Sequence, residues 1–159
     1  MKVKDVMTPD AKAIWITESL ADAAKEMWEG DCGVLPIIKD GRKVVGMITD
    51  RDICMAGAMR ERSLAHISVE EVMNRSVYAA EPEEDIEQAL KTMREHKVRR
   101  LPVLNLEGEL EGILSMNDIV LKAKRDNGKK PRIDYAEIVE TYRAICDHTP
   151  PMAMTAGAE

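Results

Sequence analysis

The sequence predicts an α/β fold in which one small unit is used twice, and three observations carry that expectation. Val3-Lys4-Asp5-Val6-Met7 returns 66 residues later as Val69-Glu70-Glu71-Val72-Met73. The same offset carries Leu35-Pro36 to Leu101-Pro102, Gly46 to Gly112 and Asp52-Ile53 to Asp118-Ile119. Within each copy, short apolar runs alternate with segments of helical periodicity. A repeat of roughly 50 residues is marginal alone, so the copies are expected to bury their apolar faces against each other in a single fused core. The division that follows is 1–62 for the first repeat, 63–124 for the second, and 125–159 for a basic linker, a C-terminal helix and a tail.

In the first unit, residues 13–16 form a short apolar run, and Leu20, Ala23, Ala24 and Met27 then fall at i, i+3, i+4 and i+7, one face of a helix. The second unit offers residues 77–80 as the strand and Ile86, Ala89, Leu90 and Met93 as the helical face. Glu81, Glu83, Glu84 and Asp85 crowd that helix's start, where carboxylates favour the positive end of the dipole. Residues 34–38 and 44–48 flank Asp40-Gly41, a hairpin signal, and 101–104 and 110–114 repeat it around Glu107-Gly108. A closing helix follows each hairpin, beginning at Thr49-Asp50-Arg51-Asp52 and at Ser115-Met116-Asn117-Asp118. Ser68 is placed to cap a short helical turn that opens the second unit. Beyond the repeats, Tyr135, Ile138, Val139, Tyr142, Ile145 and Cys146 mark a third amphipathic helix over 134–147, which Thr149-Pro150-Pro151 ends. That helix serves either as a dimer or partner contact or as packing on its own chain.

Composition narrows the function. Apolar residues at 45% and charged residues at 33% are the balance of a globular protein rather than a disordered one. No apolar run approaches the roughly 18 residues that span a bilayer, so a cytoplasmic, non-membrane protein is expected. The formal charge of -6 argues against nucleic-acid affinity. The basic stretch 122–132 lacks interleaved aromatics and reads as a solvated linker. Eleven methionines and no phenylalanine predict a core of aliphatic and Met side chains. Cys32, Cys54 and Cys146 have no counterparts at the repeat offset and are expected as reduced, buried thiols. His66, His96 and His148 share no metal spacing with them, so no metal site is expected. No nucleophile and base are paired, so neither catalytic residues nor an enzyme are expected.

Chemistry concentrates where a strand runs through a hydroxyl residue into a helix with an aspartate three positions later: Thr49 with Asp52, and Ser115 with Asp118. Two readings stand side by side. The pair forms a capping box that satisfies the helix start, or the free N–H groups and hydroxyl receive a phosphate while the carboxylate holds both hydroxyls of a ribose.

The order of Val-Met opening, strand, helix, hydrophobic-Pro strand and Gly-x-x-[Thr/Ser]-x-x-Asp, given twice over about residues 1–124, resembles a tandem pair of cystathionine β-synthase (CBS) domains. The resemblance implies two β-α-β-β-α units related by a pseudo-twofold axis, often dimerised, binding adenosine-containing ligands of the AMP, ADP and ATP class between repeats. It implies a regulatory module without cofactor or turnover, a homodimer, and an unidentified regulated partner. Carried over residue by residue, one cleft combines Thr49 and Asp52 with Val77, Tyr78, Arg100 and Pro102. The other combines Ser115 and Asp118 with Ala11, Lys12, Val34 and Pro36. The copies differ where Arg99 and Arg100 face Gly33 and Val34: the arginines neutralise phosphates or simply end a solvated strand. Arg51 and Asn117 contact phosphate or face solvent. The Asp52 cleft is the expected main site, and the rival reading is a ligand-free interaction and dimerisation scaffold.

Overall fold

A computed structural model of the chain describes residues 1–123 and 133–147. It contains two three-stranded sheets, five α-helices and three short 3-10 turns among those residues. The first sheet joins β2 (Ile14–Trp15), β3 (Val34–Lys39) and β4 (Lys43–Thr49) in that order. The second joins β1 (Thr8–Pro9), β6 (Leu110–Ser115) and β5 (Arg100–Leu104). Helices α1 (Leu20–Glu29) and α2 (Asp50–Met59) belong to the first repeat, and α3 (Ile86–His96) and α4 (Met116–Lys122) to the second. Helix α5 (Tyr135–Cys146) follows.

The repeats are tied by exchange. Strand β1, from the first repeat, pairs with β6 of the second, Thr8 opposite Ile113. Its image at offset 66 is the bridge between Asn74 and Met47. Likewise Val3 N–H donates to the Glu84 carbonyl at 2.9 Å, and Val69 N–H donates to that of Glu18 at 2.8 Å. Each opening segment thus seats itself on the other repeat. The hairpins meet on the pseudo-twofold axis, where Lys43 bridges Glu109.

This exchange corrects the expectation of one fused core. Two apolar clusters form instead, and each takes residues from both repeats. Val3 and Val6 lie with Ala80, Leu90, Leu101 and Leu114. Ile67, Val69 and Met73 lie with Ile14, Leu20, Leu35 and Ile48. Crossing segments, rather than face-to-face burial, join the copies. The repeated glycines follow from the same geometry. A Cβ on Gly46 would lie 3.0 Å from the Asn74 carbonyl oxygen, and one on Gly112 would lie 2.6 Å from that of Thr8.

The helical faces lie inward as their spacing required, with Leu20, Ala23 and Met27 buried on α1 and Ile86, Ala89, Leu90 and Met93 on α3. The strand expected at 77–80 shrinks to one parallel bridge, Ala80 to Val103. Its counterpart in the first repeat continues because Ile16 N–H donates to the Ile38 carbonyl at 3.1 Å. Position 82 is proline and has no N–H to offer. The expected burial of the thiols is also corrected: Cys32 is half-buried, while Cys54 in α2 and Cys146 in α5 are exposed.

Helix α5 packs on α3, and Ile138 and Ile145, with Ile133 just ahead of the helix, join the cluster of Val3, Leu90 and Leu101. Residues 124–132 of the basic linker, His148 and Thr149-Pro150-Pro151 lie outside the described residues. Among the described residues no helix is long and apolar enough to cross a membrane.

Candidate functional site in the cleft between the repeats

Strand β4 delivers Thr49 to the start of α2, where extended backbone at Thr49 (φ -115°, ψ 161°) gives way to helix. Thr49 Oγ1 donates to Asp52 Oδ2 at 2.7 Å and accepts from the Asp52 N–H at 3.2 Å, while the Thr49 N–H donates to the same Oδ2 at 2.9 Å. The capping box is therefore present. Asp52 Oδ1 accepts no hydrogen bond among the described residues, so one carboxylate oxygen is left for another donor. Capping and ligand binding are compatible in the same side chain.

A cavity of about 510 Å³ opens at this helix start. Thr49, Arg51 and Asp52 line it from the first repeat, and Tyr78, Arg99 and Arg100 from the second. Its volume falls within the range of small-molecule sites. Arg51, Lys97, Arg99 and Arg100 outnumber Asp50 and Asp52 on the wall, which gives it a cationic balance. Arg100 is half-buried, and burial followed by the neighbouring Arg99 lowers its pKa, although a guanidinium stays charged. The Tyr78 ring stacks on His96 with centroids 3.7 Å apart and planes 11° from parallel, which fixes the ring at the wall.

Two expected members of this cleft lie outside its lining. Val77 is half-buried, and Pro102 is buried in β5 with its carbonyl accepting the Ala80 N–H at 3.0 Å. Val34, expected with Asp118, lines the Asp52 cavity instead, because β3 places it opposite Thr49. Of the other cleft, Ser115 and Asp118 form the matching box, Oγ to Oδ2 at 2.6 Å, and Asn117 is exposed beside them. Ala11 and Pro36 are buried. The Lys12 ammonium is bound to Glu26 at 2.9 Å, a hydrogen bond that raises its pKa.

Sequence reasoning missed Asp50, Asn74, Ser76, Lys97 and Ile145 on the cavity wall. Asp50 had a signal in Gly33: a Cβ there would lie 2.7 Å from Asp50 Oδ2. The corresponding positions in the second repeat are Arg99 and Met116, so the broken symmetry involves paired changes on strand and helix. Among the described residues no group of three or more His, Cys, Asp or Glu side chains is arranged to hold a metal ion.

Paired sheets tied by reciprocal crossing segments, with a cleft at the strand-to-helix turn, define an α/β tandem-repeat fold. The chain belongs to the CBS domain family, whose model matches residues 3–58 and 69–124. Hypoxic response protein 1 of Mycobacterium tuberculosis is 32% identical over 151 residues, 95% of this chain and 96% of that protein. The crystal structure of Hypoxic Response Protein I with two coordinated zinc ions matches at TM-score 0.70 and 33% identity, covering 76% of this chain and 98% of that one. The structure of CBSX2 in complex with AMP matches at TM-score 0.64 and 27% identity, covering 76% and 93% respectively.

Proposed function

We propose that the Asp52 cleft binds an adenosine-containing nucleotide of the AMP, ADP and ATP class as a regulatory ligand, without turnover. The observation that carries this reading is the convergence of the Thr49–Asp52 helix start from one repeat with Tyr78, Arg99 and Arg100 from the other. Asp52 Oδ1 is suited to ribose hydroxyls, the α2 N-terminus and arginines to phosphate, and the Tyr78 ring to a base. The AMP complex of CBSX2 supports the ligand class. The reading places the protein in the cytoplasm as a homodimer that passes occupancy to a partner protein by favouring one arrangement of its repeats.

The second reading, a ligand-free scaffold, takes the capping boxes, complete in both repeats, as the whole role of Thr49–Asp52 and Ser115–Asp118. A thermal-shift panel of AMP, ADP, ATP, NAD and S-adenosylmethionine separates the two. A rise in melting temperature with an adenine nucleotide supports the sensor. No rise with any of them at millimolar concentration leaves the scaffold.

A further inference from the structure

Helix α5 belongs to neither repeat, yet its last turn reaches the Asp52 cavity, where Ile145 and Lys97 both form part of the wall. Lys97 closes α3 in the left-handed conformation, φ 53°. Its ammonium extends to the end of α5, donating to the Asp147 carbonyl at 2.6 Å and lying 3.9 Å from the Asp147 carboxylate. A carbonyl at a helix C-terminus lacks an intrahelical partner and carries the negative end of the dipole, so a cation there holds the last turn. The rest of α5 has separate anchors. Ile138 is buried, as is Ile133 just ahead of the helix, and the Tyr135 hydroxyl donates to the Ala123 carbonyl at 2.5 Å.

We propose that Lys97 is shared between the cleft and α5, so that an anionic ligand in the cleft draws its ammonium from Asp147 and loosens the last turn of α5. This inference rests on the reading of the cleft as a nucleotide site. Among the described residues, Lys97 alone of the four cations on the wall has its side chain committed to a protein acceptor. A phosphate offers a stronger, charge-assisted acceptor than a peptide carbonyl. Linkage makes the effect reciprocal, so a loosened last turn favours the anion as much as the anion favours loosening. Helix α5 thereby reports on the charge of the ligand, a role that an element outside both repeats is free to take.

Hydrogen exchange on the full chain, with and without saturating AMP, tests the proposal. AMP is expected to protect residues 49–54 while exchange in 143–147 becomes about threefold to tenfold faster, the scale of a lost helix-end interaction. Adenosine, which lacks the phosphate, is expected to protect 49–54 without accelerating 143–147. In Lys97→Met, which keeps the aliphatic stem but loses a cation of the cleft wall, 143–147 is expected to exchange fast without ligand, and AMP raised until 49–54 is protected again is expected to leave that exchange unaccelerated. Protection at 49–54 in the wild type with slowed or unchanged exchange at 143–147 would overturn the proposal. If AMP protects neither segment, the nucleotide reading fails and the inference falls with it.

Discussion

Thr49 Oγ1 and Asp52 Oδ2 lie 2.7 Å apart, and Ser115 Oγ and Asp118 Oδ2 repeat the contact at 2.6 Å on the other side of the pseudo-twofold axis. Each aspartate fastens its helix in the same way. Asp52→Ala and Asp118→Ala are therefore expected to destabilise the fold alike, by about 1 kcal/mol each, as lost N-terminal caps do. Urea unfolding of both variants checks this. A loss confined to one of them would show that the boxes are not equivalent in structure.

The surroundings of the two boxes differ, and Arg100 marks the difference. It is half-buried on the wall of the Asp52 cavity, within the field of Arg99, Asp50 and Asp118. Arg100→Met is expected to weaken AMP by about tenfold or more, the worth of a hydrogen bond to a charged group, while adenosine binding changes little. Fluorescence or calorimetric titration with both ligands checks the contrast. Equal weakening of both would mean that Arg100 supports the shape of the cleft rather than the phosphate.

Gly46 and Gly112 admit the crossing segments. Alanine at either site meets backbone that is itself hydrogen-bonded, Asn74 at 3.0 Å and Thr8 at 2.6 Å. Both substitutions are expected to cost about 1–3 kcal/mol as overpacking, with Gly112→Ala the more severe. Thermal or denaturant unfolding gives the comparison. Neutral outcomes would contradict the close approach of the segments.

Acid is expected to loosen the seam where the segments cross. Glu71 accepts the Ser68 N–H at 3.0 Å and faces Arg60 and Arg62, and these partners hold its carboxyl below the usual range. Asp85 is lowered by Lys2, and Asp22 by Ser19. A carboxyl lowered in the folded state contributes stability above its unfolded pKa and loses it as pH falls through the folded one, so the loss lies below about pH 4.5. These groups are exposed and the effect is small. Glu71→Gln keeps the acceptor for Ser68 but not the charge, and its melting temperature is expected to fall less steeply than that of the wild type between pH 5 and pH 3. Identical slopes would remove Glu71 from the explanation.

The duplication makes much of this architecture legible in the amino-acid sequence. Leu20, Ala23 and Met27 announced α1 by spacing, and Thr49 with Asp52 announced the start of α2, because helical period and capping chemistry are local. The exchange of opening segments was not legible. Val3 and Val69 look alike, and nothing nearby states which repeat each one joins. The strand expected at 77–80 is placed too early: residues 11–13, the counterparts of 77–79, are not strand either, and beyond Ala80 the ladder stops where Pro82 lacks the N–H that its counterpart Ile16 donates. The cleft was half legible: Arg99 and Arg100 stood out against Gly33 and Val34, whereas Lys97 reaches the wall through the left-handed end of α3 and Ile145 through the packing of α5 on α3.

The nucleotide site in the Asp52 cleft is tested most directly by isothermal titration of AMP, ADP and ATP into the wild type, Asp52→Ala and Asp118→Ala. The expected result is binding to the wild type by at least one of the three, weakened about tenfold or more by Asp52→Ala through loss of a charged hydrogen-bond acceptor, and nearly unchanged in Asp118→Ala. No binding by any of the three, or equal loss in both variants, would contradict it.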